Sequence, residues 1–286
     1  MSTEAPPPPA APRAVLHTTD LSEASELAFA HALRVALNAR AKFYILHTQR
    51  DQPKEIDWSA FPGVRSTLAR WNLLDAGSPP EAVFDRLGVK IRKIDIIGND
   101  PVDGIVRFFN GHPSDLVVLA THGRDGAQRW LHRSVAEPLA RQVSVPALFL
   151  PPGARGFVDA ATGEVVLRRI LMPLAGDPLP GPALSQARLL ALTLGIPDAE
   201  LMMLHVGEAE DPPMATIPDG SFGRAETLTR RGSVVDAIIE TAHERDADLI
   251  VMATKGHQGF LDALRGSTTE QVLRRAGCAV LAVPAI

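Results

Sequence analysis

The chain has 286 residues, of which 45% are hydrophobic and 22% charged, the composition of a folded globular protein long enough for two cores of ordinary size. A net charge of −4 excludes the basic footprint that nucleic acid or an anionic membrane surface requires, and no run of about 18 apolar residues is present to span a bilayer. Cys278 is the single cysteine and forms no intrachain disulfide, so the expectation is a cytoplasmic protein whose thiol lies buried within CAVLAVP.

In chain order, residues 1–12 (MSTEAPPPPAAP) lack the basic and then apolar pattern of a secretory signal and read as a disordered Pro-rich tail. AVLHT (14–18) predicts a strand. SEASELAFAHALRVALNA (22–39) predicts a helix, with Glu23, Glu26, Arg34 and Asn38 along one polar stripe at a spacing near 3.6. KFYILHT (42–48), VKIRKIDII (89–97), DLVVLA (115–120) and VPALFL (145–150) predict strands, and PVDGIVRFF (101–109) and SVAEPLARQV (134–143) the helices between them. Residues 151–169 (PPGARGFVDAATGEVVLRR) carry paired prolines, glycines and a TGE turn, and read as a linker over 152–166 containing a small hairpin. Strands that alternate with helices and are almost continuously apolar predict a parallel sheet covered on both faces, and right-handed crossovers then leave few topologies.

The sequence is also written twice. ATHGRDGAQRWLHRSVAE (120–137) returns 133 residues later as ATKGHQGFLDALRGSTTE (253–270), and residues 115–151 align with 248–284 without a gap. Nearer the start of each half YILHT (44–48) pairs with MMLHV (202–206) at an offset of 158, so the first half carries about 25 extra residues between that strand and VDGIV (102–106). Two domains are therefore expected, at 13–151 with an insertion near 51–80, and at 167–286. The insertion contains Trp58 and Trp71, and two roles stand open for it: a helix packing its tryptophans into the first domain, or an exposed contact for a protein partner.

Each repeated loop lies between a buried strand and a helix start. SVAE (134–137) and STTE (267–270) both have the form of a capping box, and Glu137 with Arg141 and Glu270 with Arg274 add pairs one helical turn apart. A strand, a glycine loop and a helix N-terminus together can hold a phosphate, through free N–H groups and the helix dipole. Two ordinary glycine turns would look the same.

DLIVMATKGHQGFLDALRGSTTEQVLRRAGCAVLAVP resembles the C-terminal segment of the universal stress protein (UspA) family, whose nucleotide-binding members carry GxxG, nine residues, then Gly-Ser or Gly-Thr. In the second half Ala253 stands at the first glycine, and Gly256 and the Gly266-Ser267 pair match. In the first half Ala120 stands at the first glycine, Gly123 matches, and Arg133 with Ser134 replaces Gly-Ser. VLHTTDLSEASELAFAHA (15–32) resembles the family's opening strand and helix, with Asp20 at the acid used in adenosine recognition; Ala175 aligns with it in the second half, and Asp177 follows two residues on.

The resemblance covers both halves. It implies two α/β domains with five-stranded, Rossmann-like parallel sheets in order 3-2-1-4-5, forming a pseudo-dimer within one chain by pairing of their last strands, with a homodimer also open. It places a nucleotide at the switch point between strands 1 and 4. The second-half site it implies comprises Ala175, Val206, Thr254, Gly256, His257, Gly259, Gly266, Ser267 and Thr268, with Lys255 adding charge, and is the expected home of ATP with magnesium. The first-half set, Asp20, Gly123, Arg133 and Ser134, is the weaker one, because Arg133 fills the loop's approach to phosphate unless it supplies a cation there.

No P-loop, nucleophile elbow or HExxH is present, and the nine histidines have no metal-ligand spacing, so neither an enzyme nor a metal protein is expected. His47 and His205 end the second strand of each half and read as hydrogen-bonded structural histidines, His122 and His132 as solvated ones. The expectation is a stress-response regulatory protein binding an adenine nucleotide in its second domain. A nucleotide-independent interaction module with both sites degenerate, and a slow ATPase, are the other readings.

Overall fold

The computed structural model describes residues 11–22, 24–49, 58, 63–97, 101–121, 145–208, 217, 220–255 and 268–285. Among them the first half runs β1 (Ala14–Thr19), α1 (Ala24–Ala39), β2 (Lys42–Gln49), α2 (Val64–Arg70), α3 (Ala82–Leu87), β3 (Lys90–Ile97), α4 (Pro101–Gly111), β4 (Leu116–Ala120) and β5 (Ala147–Leu150). The second runs β6 (Arg169–Leu174), α5 (Gly181–Thr193), β7 (Glu200–Val206), β8 (Arg224–Arg230), α6 (Val234–Glu244), β9 (Leu249–Lys255), α7 (Thr268–Arg275) and β10 (Ala279–Ala285). The predicted helix 134–143 lies outside the described residues.

All ten strands join one sheet in the order β3-β2-β1-β4-β5-β10-β9-β6-β7-β8, which is 3-2-1-4-5 followed by its own reversal. Every pairing is parallel except at the centre, where β5 and β10 run antiparallel with Val280 opposite Phe149 and Ala282 opposite Ala147. Antiparallel pairing of the two fifth strands relates the halves by a pseudo-twofold axis. One apolar cluster, including Leu33, Phe43, Ile45, Leu190 and Leu281, fills the face under α1 and α5 across both halves; a second, including Phe109, Ile238, Val272 and Leu273, fills the other face.

Full burial of every strand does not hold. The outer strands β3 and β8 are mostly half-buried or exposed, and carry Arg92, Lys93, Arg224, Glu226 and Arg230. An edge strand has a neighbour on one side only, and charge on it discourages pairing with another chain.

Two devices place the strands on which the site depends. Asp115 Oδ2 accepts from the backbone N–H groups of Arg13 (2.7 Å) and Ala14 (3.0 Å) at the start of β1. Asp248, 133 residues later, accepts likewise from Arg168 (2.8 Å) and Arg169 (2.9 Å) at the start of β6. Its other oxygen accepts from the linker's Arg155 at 3.0 Å.

The second device is the linker. Val158 and Val165 form an antiparallel bridge, and Phe157, Val158 and Leu167 are buried in the apolar cluster that spans both halves. His31 of α1 donates from Nδ1 to the Leu27 carbonyl (2.7 Å), leaving Nε2 to accept from the N–H groups of Phe157 (2.9 Å) and Val158 (3.1 Å). Trp71, at the end of α2, is buried in the core and donates from Nε1 to the Ala160 carbonyl at 3.1 Å. Its ring lies over Gly163, whose φ is +72° and where an added Cβ would stand 2.4 Å from the ring. For Trp71 the insertion is thus a packing element that grips the linker. Trp58 is only partly buried.

Candidate functional site

The candidate site in each half is the crevice where the sheet reverses direction, between β1 and β4 in the first half and between β6 and β9 in the second. The two crevices open to different depths. In the first, β1 and β4 stay paired from Val15 opposite Leu116 as far as Thr18 opposite Leu119. In the second, β6 and β9 pair only at Ile170 with Leu249 and Leu171 with Ile250.

Proline chemistry accounts for the difference. The Arg169 carbonyl accepts from Asp248 N–H, so alternate residues 169, 171 and 173 of β6 face β9. Residue 173 is Pro, where the first half has Thr18, and it has no N–H to give to β9. The ladder stops there.

The first crevice retains its acid. Asp20 follows β1 in a turn, and its Oδ1 accepts from Ser22 N–H (3.0 Å), Ser22 Oγ (2.6 Å) and Ser25 Oγ (2.7 Å). Burial works to raise its pKa, but these hydrogen bonds outweigh burial and hold the carboxyl below its usual value. Oδ2 is buried and has no partner among the described residues, an acceptor left over once the turn is made. Three residues earlier His17 is fully buried, donating from Nδ1 to the Val118 carbonyl at 3.0 Å, while its Nε2 has no partner among the described residues. Desolvation drives its pKa down to about 4, so the ring is neutral.

The second crevice replaces that arrangement. Ala175 is exposed just past β6, and nothing there substitutes for the Asp20 turn. Asp177, two residues on, crosses the mouth and pairs through Oδ2 with Lys255 Nζ, the last residue of β9, at 2.5 Å. Thr254 is buried and donates from Oγ1 to the Val283 carbonyl at 3.2 Å, which turns its hydroxyl toward β10. Val206 ends β7 and Thr268 begins α7, both half-buried. In α7 Glu270 is buried and pairs with Arg274 at 2.7 Å.

Gly256, His257, Gly259, Gly266 and Ser267 of the second loop, and Gly123, Arg133 and Ser134 of the first, lie outside the described residues, as do His122 and His132. Ala120 and Ala253 are half-buried in the strands leading into those loops.

The two strand-end histidines are hydrogen-bonded, though to different partners. His47 Nδ1 lies 3.0 Å from Asp95 Oδ1, whereas His205 Nε2 donates to the Glu208 carbonyl at 3.1 Å. Cys278 is buried, and desolvation pushes its thiol up to about 12, leaving it protonated and unreactive. No group of His, Cys, Asp and Glu able to hold a metal occurs among the described residues, and no described helix is long and apolar enough to cross a membrane.

Sequence reasoning missed the Asp115 and Asp248 clips, His31 as the linker's acceptor, and the Lys255–Asp177 pair. The clips had a signal, because each aspartate opens the duplicated DLVVLA or DLIVMA at the common offset. The other contacts join segments far apart in sequence that no local pattern connects.

Comparison with known proteins agrees with this architecture. The model of the universal stress protein family matches residues 12–151 and 219–284. A universal stress protein of Methanocaldococcus jannaschii is 28% identical over 139 residues, covering 46% of this chain and 76% of that one. The crystal structure of a universal stress protein from Archaeoglobus fulgidus is 21% identical and superposes with a TM-score of 0.63, covering 95% of this chain and 96% of that one. A universal stress protein solved in complex with cAMP is 24% identical, covers 49% of this chain and 97% of that one, and has a TM-score of 0.34. With the family model spanning most of both halves, the chain belongs to the universal stress protein family.

Proposed function

We propose that this is a stress-response regulatory protein of the cytoplasm that binds an adenine nucleotide, ATP with magnesium, in its second half, and that it acts through the bound state without turning it over. The observation that carries the reading is the early end of the β6–β9 ladder at Leu171 and Ile250, forced by Pro173. It leaves the ends of β6 and β9 unpaired at the switch point, where Lys255 closes β9 and α7 begins at the far end of the intervening loop. The glycine spacing of that loop, Gly256 to Gly266-Ser267, suits a phosphate held by backbone N–H groups. Exposed Ala175 supplies no carboxylate to the nucleoside, which weakens the site by one polar contact, on the order of 1–3 kcal/mol, without closing it.

A second reading has its own observation. Asp20 Oδ2, buried and without a partner among the described residues, suits a nucleoside hydroxyl or amine in the first half, where Arg133 replaces the loop glycine. One titration separates the two. Calorimetry of the nucleotide-stripped protein with ATP and magnesium is expected to show one micromolar site, lost in Gly266→Arg and kept in Asp20→Asn. Loss in Asp20→Asn alone would move the site to the first half. Absence of heat at several temperatures, with no rise in melting temperature, would leave an interaction module in place of a nucleotide sensor.

A further inference from the structure

A cavity of about 860 Å³ lies at the outer edge of the first half, between the insertion helices α2 and α3 and the beginning of β3. The second half has no counterpart in sequence, since residues 50–89 join β2 to β3 where only 207–223 join β7 to β8. Its walls are largely apolar: Val64 of α2, Val83 and Phe84 of α3, Ile91 of β3, and Trp58. Val64 and Val83 belong to the buried core, so those walls are fixed by packing and the cavity is preformed. Phe84 is 48% exposed and lines the cavity.

Among the described residues Arg65, Lys90 and Lys93 line the opening with Asp75, which is held by Arg86 at 2.7 Å. Lys93 donates to the Trp58 carbonyl, and Arg65 to that of Ser78. Lys90 has no carboxylate partner among the described residues, and its Nζ sits 4.9 Å from the centre of the Phe84 ring. A cation with no carboxylate partner among the described residues, beside an apolar cavity, suits a ligand with an anionic head and an apolar body.

We propose that this cleft is a binding site for a free fatty acid, with the acyl chain along Phe84, Val83 and Ile91 and the carboxylate at Lys90. The volume lies within the range of small-molecule pockets. A net charge of −4 disfavours an anionic membrane as the occupant. A nucleotide lacks the extended apolar body that these walls would cover.

Dodecanoate below its micellar concentration is titrated into the full chain, followed by calorimetry and by tryptophan fluorescence, since Trp58 lines the cleft. One saturable site is expected. Lys90→Glu should weaken dodecanoate roughly tenfold, about 1.4 kcal/mol, while changing the binding of uncharged dodecanol little. Phe84→Ala should weaken both. Lys90 is a surface residue, so Lys90→Gln is expected to melt as the parent does and to fall between the parent and Lys90→Glu in affinity. No saturable binding, equal affinity for dodecyltrimethylammonium, indifference to Lys90→Glu, or binding to anionic vesicles without binding to free dodecanoate would each overturn the proposal.

Discussion

The two crevices descend from one repeated sequence and have kept different parts. The first retains a carboxylate with a spare acceptor oxygen, backed by a neutral buried histidine, but its flanking strands stay paired one turn of the pleat further. The second has Met172, Pro173 and Ala175 where the first has His17, Thr18 and Asp20, and so has exchanged polar fittings for a shorter ladder. Both halves hold the linker, by different means: the first through Trp71 of the insertion and His31, which bind its backbone, the second through Asp248, which accepts from Arg155.

The largest test of that asymmetry is Trp71→Ala. Removing a buried indole and its hydrogen bond to Ala160 is expected to destabilise the first half by about 3–5 kcal/mol, with little direct effect on the second. Scanning calorimetry should then show a low-temperature shoulder that limited proteolysis maps to the first half. A single cooperative transition shifted as a whole would mean that the two halves melt as one unit, and that the asymmetry stops at the crevices.

How much of this could be read in the sequence depends on the range of the interaction. The buried strands were legible because a parallel strand covered on both faces is an unbroken apolar run, as in LVVLA and LIVMA. The 3-2-1-4-5 order came with the family resemblance, and the place of the insertion came from two offsets that disagree. The β3 edge reads as more buried than it is, since position within a sheet is a property of topology that VKIRKIDII does not announce. Trp71 over Gly163 joins segments 92 positions apart, and Asp177 meets Lys255 across 78. Pairs like these depend on the finished fold, and tryptophan or aspartate in a loop gives no sign of its eventual partner.

Acid should separate the halves next. His17 and His31 are both fully buried, and desolvation brings each from 6.5 down to about 4. A histidine depressed in the folded state favours folding above its unfolded value, so this contribution is complete above pH 6.5. It falls as the unfolded chain takes up protons between pH 6.5 and about 4, and is flat below that. The loss is at most about 3 kcal/mol per histidine, and both residues are in the first half. Chemical shifts of the ring protons followed from pH 7 to 4 give the titrations directly, with amide exchange reporting which half opens first. For His31 protonation also sets an N–H against the two N–H groups it accepts from Phe157 and Val158, so His31→Gln, which keeps an acceptor oxygen, should flatten part of the acid limb. Normal titration of both rings near 6.5 would remove the basis for the contrast.

The smallest effect concerns the mouth of the second crevice. Asp177 and Lys255 are 74% and 54% exposed, so their ion pair is screened by water and salt and contributes little to stability. Asp177→Asn should leave the melting temperature nearly unchanged. Its consequence lies in competition, because a phosphate entering between β6 and the loop after β9 needs the same Lys255 ammonium that Asp177 now holds. Freed of that carboxylate, Lys255 is expected to strengthen ATP binding by roughly threefold at low salt, with no change for adenosine, which has no phosphate to gain. The advantage should shrink as ionic strength rises and vanish in Lys255→Gln. Should Asp177→Asn instead weaken ATP while sparing adenosine, Asp177 would be a ligand for the magnesium that accompanies the phosphates, and the second half would have replaced the acid lost at Ala175 with one two residues further on.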